Sequence, residues 1–149
     1  MLLIVGVNRN TVNRYFNIIR KKEKEESVKE IKKEVGDFEK EHSVTFPEDL
    51  KEYIIKYNGG RPSKSIFDTA KEKGHVFKLL LSFNRDDRET IFTTYEVLQK
   101  EDSSLLPFAS DPSGNFLCIK DGKVVLYLHE TGKVEAVLNS FSEFLEKLY

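Results

Sequence analysis

The chain of 149 residues, with 39% hydrophobic and 33% charged residues, has the length of one domain with a highly charged surface. Its net charge of −1 excludes bulk attraction to nucleic acid or anionic membranes, and also the strong acidity of a DNA mimic. The single cysteine excludes an internal disulfide and a cysteine-rich zinc site, and it indicates a reducing, cytoplasmic environment.

The chain begins with an apolar run, Met1–Val7. The run lacks a basic region and is too short to span a bilayer, so we expect a short strand or a loosely docked extension. A stripe with helical spacing follows, with Asn10 or Thr11 as its cap: Val12, Tyr15, Phe16 and Ile19. Arg20–Glu26 mixes both charge signs and indicates a solvated helix face or a linker. We therefore assign residues 1–27 to an N-terminal extension, strand and/or helix, packed on or joined to a domain of residues 28–149.

Two helices are predicted in the first half of this domain. The apolar positions of the first are Val28, Ile31, Val35 and Phe38, and it ends at His42-Ser43. The second starts at Pro47, which suits a first helical turn, and stops at Asn58-Gly59-Gly60 because these residues tolerate a left-handed backbone. Its buried face comprises Leu50, Tyr53, Ile54 and Tyr57.

The second half is richer in strand signals. Alternation of Phe77, Leu79, Leu81 and Phe83 predicts a strand, and Glu89–Lys100 has the period of a helix. Asp121-Gly122 predicts a two-residue hairpin between Asn115–Lys120 and Lys123–His129. A further strand is predicted over Lys133–Leu138, and a capping box at Ser140–Glu143 starts a final helix. The predicted class is α+β: N-terminal helices, a central twisted antiparallel sheet with hairpins, and a C-terminal helix.

Cys118 and His129 are the most tempting pair for nucleophilic catalysis. The hairpin turn pairs Lys120 with Lys123, and hence Cys118 with Val125. His129 then lies four residues further along, roughly 13 Å from the cysteine. A nucleophile and its base must approach to about 3 Å, so we expect Cys118 to be a semi-buried structural thiol.

No other catalytic or metal-binding pattern emerges from the sequence. The histidines His42, His75 and His129 lack metal-ligand spacing, and Asp86, Asp87 and Glu89 lack the spacing of a calcium loop. We therefore expect no enzyme activity, no metal and no cofactor. A small hydrolase remains an alternative, and it would require Cys118 or Ser113 within hydrogen-bond reach of a histidine.

Four segments in this order resemble the SUKH superfamily, which is named partly for the yeast Smi/Knr cell-wall regulators. The segments are Phe46–Tyr53 with Tyr57–Pro62, then Pro107–Asn115, Val125–Glu130 and Ser140–Leu145. In the third segment, Leu128 stands where the family usually has an aspartate before the histidine. The resemblance covers residues 28–149 and leaves the N-terminal extension without a counterpart.

The resemblance implies a binding protein of the bacterial immunity type. Such a protein neutralises a cognate toxin, often a nuclease encoded nearby, by stoichiometric binding in the cytoplasm. We expect it to be a monomer or a weak homodimer, with no direct contact to nucleic acid or membrane. The alternative is an intracellular regulatory or scaffold module like the eukaryotic members.

The candidate partner-binding residues are acidic, because acidic loops could meet a basic nuclease cleft. They are Asp86, Asp87, Glu89, Glu101, Asp102 and Asp111. The alternative is that these are ordinary solvated loops. The residues predicted to form the fold are Pro47, Asn58, Gly59, Gly60, Pro107, Asp111, Gly114 and Asn115. Pro107–Asn115 is predicted to be a polar, turn-rich loop that feeds the following strand, and the order Asp111-Pro112-Ser113-Gly114 within it predicts a type I turn.

Overall fold

The computed structural model describes the backbone of residues 17–149 and the side chains from Ser27 onward. Met1–Val7, Val12, Tyr15, Phe16 and the cap at Asn10 or Thr11 therefore lie outside the described residues. The domain boundary after residue 27 remains a prediction.

Four helices frame the described chain: α1 (Asn17–His42), α2 (Glu48–Tyr57), α3 (Ile91–Glu101) and α4 (Phe141–Lys147). Helix α1 runs without a break through Arg20–Glu26, so the linker alternative for this segment is wrong. Lysine and glutamate are good helix formers, which explains why a charged run continues the helix. None of the described helices combines the length and the apolar composition that a membrane span requires.

The strands form two antiparallel sheets. Strands β1 (Ile66–Phe67) and β2 (His75–Val76) form a small hairpin. The larger sheet has five strands in the order β3-β4-β5-β6-β7. Their bounds are β3 (Leu79–Leu80), β4 (Leu106–Ser110), β5 (Phe116–Lys120), β6 (Lys123–Tyr127) and β7 (Val134–Leu138). The predicted α+β class, with helices on either side of an antiparallel sheet in sequence, is confirmed.

The central hairpin has the predicted register. Lys120 pairs with Lys123 and Cys118 pairs with Val125. Both turn residues have left-handed backbones, with φ of 51° at Asp121 and 76° at Gly122. A turn with two positive φ angles matches the twist of the flanking strands, which is why this short signal fixes the register.

The single strand predicted over residues 77–83 is wrong. Instead, β2 ends at Val76 and β3 covers Leu79–Leu80. Phe77, Leu80, Leu81 and Phe83 are all buried, so the segment is covered on more than one side and does not alternate. The Phe77 ring lies against Phe144 of α4, whereas the Phe83 ring lies against Phe38 of α1.

The segment Pro107–Asn115 is also more regular than predicted. Residues 107–110 belong to β4, and only the part from Asp111 onward forms the polar turn. Pro107 lies next to a register shift between β4 and β5. A bulge tolerates proline because the ladder there lacks one regular hydrogen bond.

The sheet buries side chains on both faces. The paired residues Leu117 and Leu126 belong to the main core, together with Phe38, Phe46 and Phe144 from the helices and their flanking segments. The next pair along, Cys118 and Val125, belongs to a second cluster with Leu98 of α3. Helix α3 contacts both clusters: Ile91 and Tyr95 belong to the main core, and Leu98 belongs to the second cluster.

Candidate functional site

A polar network at the end of α2 holds the loop that precedes α3. The Asn58 side chain accepts a hydrogen bond from the Phe83 backbone N–H (2.7 Å) and donates one to Ser82 Oγ (3.1 Å). Ser82 Oγ also accepts from the Asn84 N–H (2.9 Å) and donates to Asp87 Oδ2 (2.6 Å). The buried hydroxyl of Ser82 therefore uses its donor and both acceptor sites, which fixes the loop against α2.

The glycines after Asn58 complete this junction. Gly59 has φ of +71°, a left-handed backbone that favours glycine. The Gly60 carbonyl accepts a hydrogen bond from the Leu80 N–H at 2.7 Å. At the other end of α2, Pro47 precedes the helix with an extended backbone, φ −52° and ψ 142°. Pro47, Gly59 and Gly60 thus shape the backbone at the two ends of α2.

The three carboxylates of the loop before α3 have different surroundings. Asp86 is exposed, and its backbone N–H donates to Asn84 Oδ1. Asp87 is held by Ser82, and Glu89 Oε2 forms an ion pair with Lys78 Nζ at 3.0 Å. In the part of the chain that the structure describes, no cluster of three His, Cys, Asp or Glu residues could hold a metal ion.

Helix α3 connects the two predicted acidic groups. The Asp86–Glu89 segment precedes its first turn, whereas Glu101 is its last residue and Asp102 its C-cap. The 11 residues of α3 span about 16 Å. Asp102 accepts hydrogen bonds from the Ser104 hydroxyl and backbone N–H, and these bonds lower the pKa of its carboxyl. Five of the six predicted acidic residues thus lie at the two ends of one helix.

The outward face of α3 was missed by the sequence reasoning, which considered only the loops. Exposed residues recur at the helical spacing i, i+3, i+4, i+7 and i+8: Thr93, Glu96, Val97, Lys100 and Glu101. The opposite face of the helix is buried, through Ile91, Thr94, Tyr95 and Leu98. The helical spacing of polar and apolar residues in this segment of the sequence predicts such a two-sided helix.

Asp111, the sixth acidic residue, organises the turn between β4 and β5. It is 5% exposed. Its Oδ1 accepts from the backbone N–H groups of Ser113 and Asn115, each at 2.8 Å, and its Oδ2 accepts from Asn115 Nδ2 at 2.9 Å. This geometry favours the fold-forming role of Asp111 over contact with a partner.

The same turn is tied to the end of β6. Asn115 Oδ1 accepts from the His129 backbone N–H at 3.1 Å and lies 3.0 Å from His129 Nδ1. Gly114, with φ of +84°, lies under the imidazole, where an added Cβ would be 3.4 Å from His129 Cε1. The imidazole therefore forms part of a structural network with Asp111 and Asn115.

Neither Cys118 nor Ser113 has a histidine partner among the described residues. Cys118 is fully buried, its Sγ lies 3.6 Å from the Phe116 carbonyl, and burial raises the pKa of the thiol. The His42 ring packs against Phe38, and the His75 ring stacks on Phe67. The arrangement that a cysteine or serine hydrolase requires is not formed by these side chains.

A cavity of about 300 Å³ lies between the β1–β2 hairpin, β7 and α4. Phe67 and Phe144 contribute apolar surface, and Lys147 also lines the cavity. The Tyr149 hydroxyl donates to Asp68 Oδ1 at 2.7 Å. The sequence reasoning missed this cavity because it did not predict β1 and β2.

Comparison with known protein families gives one match. The model of the SMI1 / KNR4 family (SUKH-1) matches residues 32–147, which is most of the chain. Comparisons with curated proteins and with solved structures found no match.

Proposed function

Because the chain belongs to the SMI1 / KNR4 family (SUKH-1), we propose that it is an immunity protein that neutralises a cognate toxin by stoichiometric binding. Domains of this family are generally protein-interaction modules. The observation that carries the proposal is the group of carboxylates at the two ends of α3, of which Asp87 is held by Ser82 and Asp102 by Ser104. A binding protein needs a rigid, charged surface rather than an activated nucleophile.

The charge of this surface suits a basic partner. Residues 84–102 contain six carboxylates and three basic groups, although the whole chain is nearly neutral. A nuclease binds phosphates and therefore has a positively charged cleft. Local attraction between such a cleft and the α3 region would speed association and align the two proteins. The proposed partner is accordingly a nuclease toxin, met in the cytoplasm.

Two of these carboxylates are already ordered by hydrogen bonds before a partner binds. Asp87 is bonded to Ser82, and Asp102 is bonded to Ser104. Side chains that are already ordered lose less conformational entropy when a partner binds. Asp86 and Glu101 are exposed and add charge beside the ordered groups.

Co-expression with the toxin domains encoded beside this chain tests the proposal. The chain should restore growth, co-purify with one of them at a ratio of one to one, and dissociate more readily at high salt. If the chain rescues growth from none of the toxin domains encoded beside it, the immunity role is contradicted.

The alternative is a regulatory or scaffold module, since the matched family is named for the SMI1 and KNR4 proteins. The same rigid acidic surface would serve such a module. Gene position separates the two functions, because a regulator does not require a toxin gene beside it. Capture of a non-toxin cellular protein, without any rescue, would favour this alternative.

A further inference from the structure

Helix α3 presents an unusual combination on its outer face. Val97 is 58% exposed and is one of two large hydrophobic residues that are exposed in the described part of the chain, the other being Tyr149. Val97 lies near the middle of α3, between the acidic groups at its two ends. Glu96 precedes it, and Glu101 follows four residues later on the same face.

This arrangement has the anatomy of a protein interface. Interfaces place apolar side chains near their centre and polar or charged groups around the rim. Thr93 and Lys100 complete the stripe on either side of Val97. A single exposed valine is common on protein surfaces, but Val97 lies on a helix that is fixed in position and has an excess of carboxylates around it.

The helix is also fixed in position. Its N-terminus is capped by Thr90 Oγ1, which accepts from the Thr93 N–H at 3.3 Å. Its inner face is buried through Ile91, Tyr95 and Leu98. Just before it, the Arg85 guanidinium lies 3.7 Å from the centre of the Phe92 ring. The outer face therefore meets a partner as a preformed surface, which reduces the entropy cost of binding.

We propose that the outer face of α3 is the centre of the partner interface and docks into a basic groove of the partner protein. An apolar pocket in that groove takes Val97, and lysine or arginine side chains on its rim meet Glu96 and Glu101. The excess of carboxylates in residues 84–102 is the complement of such a rim. The same charge repels phosphate, so the partner surface is protein rather than nucleic acid. This inference rests on the proposed function and assigns its surface.

The test measures binding of purified variants to the catalytically inactivated toxin domain that the wild type captures. Val97→Lys should weaken binding at least about tenfold, because it puts a positive charge into an apolar pocket with a basic rim. Val97→Ala should weaken it about threefold through lost apolar contact. Alanine and lysine both favour helix more than valine does, so neither change should unfold α3.

The charge variant Glu96→Lys with Glu101→Lys should reduce the association rate about tenfold at low salt, with a smaller effect at high salt. Two controls carry the same chemistry elsewhere. Tyr149→Lys replaces the other exposed apolar side chain, and Glu52→Lys reverses an exposed charge on α2. Both controls should bind within about twofold of wild type.

The outcomes separate this inference from the proposed function. If the wild type binds and Val97→Lys binds equally well, or if a control variant loses binding instead, the α3 surface is wrong and the immunity role stands. If the wild type binds none of the toxin domains encoded beside it, both proposals fall together. Binding that is lost with the α3 variants and kept with the controls supports both.

Discussion

Replacing Asn58 with alanine should unfold the junction between α2 and the loop before α3. The change removes the acceptor of the Phe83 N–H and the amide donor to Ser82 Oγ. Phe83 is 1% exposed, so water cannot easily replace the lost acceptor. Ser82 keeps its bonds to Asn84 and Asp87, so its hydroxyl remains satisfied in part.

The expected loss follows from these two bonds. A buried donor without a partner costs about 1–3 kcal/mol, and the loss of an ordinary hydrogen bond costs about 1 kcal/mol. The free energy of unfolding should therefore fall by about 2–4 kcal/mol, out of a typical total of roughly 5–15 kcal/mol. For a chain of this length, the melting temperature should fall by about 5–12 °C.

Urea denaturation followed by far-UV circular dichroism measures this change. Asn139→Ala is the matched control, because Asn139 is exposed in the short link between β7 and α4. A double-mutant cycle with Ser82→Ala should give a coupling energy of about 1 kcal/mol between the two side chains. If Asn58→Ala stays within about 0.5 kcal/mol of wild type, the network does not hold the loop and the reasoning is refuted.

Three further predictions concern other parts of the molecule. Gly122→Ala should lower the free energy of unfolding by about 1–2 kcal/mol, because φ there is +76°. Gly36→Ala should raise it by roughly 0.5–1 kcal/mol, because Gly36 lies within α1 and an added Cβ would meet no other atom within 4 Å. Urea midpoints equal to that of the wild type would contradict both predictions. The Cys118 thiol is buried and its pKa is raised, so a disulfide reagent should modify it only as fast as the native state opens; prompt modification of the folded protein would show that the thiol is accessible. Burial disfavours the Asp49 carboxylate, but hydrogen bonds from Ser142 and the backbone outweigh burial and lower its pKa below 3.8. The ionised carboxylate therefore stabilises the fold above about pH 4, and this stabilisation is lost as the pH falls through the lowered pKa. Asp49→Asn should remove that part of the pH dependence of the urea midpoint, and an unchanged acid profile would exclude the contribution.

The central hairpin shows what a local sequence signal can establish. Asp121-Gly122 requires two left-handed residues, and only one strand register is compatible with that turn. From it follow the pairing of Cys118 with Val125 and the separation of the thiol from His129. The signal is sufficient because all of its determinants lie within a few residues of one another.

The segment before α3 shows where such signals fail. Phe77, Leu79, Leu81 and Phe83 alternate in the sequence, but Leu80 is buried as well. The rings of Phe77 and Phe83 reach different helices, and the alternation carries no information on where those helices lie. Pro107 likewise hides strand β4 from a sequence prediction, because proline disfavours a strand unless that strand has a bulge, and the bulge here lies in β4 itself, between Pro107 and Ala109.

The polar networks also separate the residues that make the fold from those available to a partner. Asn58, Asp111 and Asn115 direct their side-chain hydrogen bonds inward, and a partner that engaged them would have to break those bonds. Glu96 and Val97 lie on the exposed face of α3 and contribute little to the core. Because surface substitutions away from such networks usually change stability by less than about 0.5 kcal/mol, the outer face of α3 can change its partner without changing the fold. Exchange of these exposed residues should therefore leave the urea midpoint in place and, if the proposed immunity role holds, alter which toxin the chain binds, whereas changes at Asn58 should lower the midpoint first.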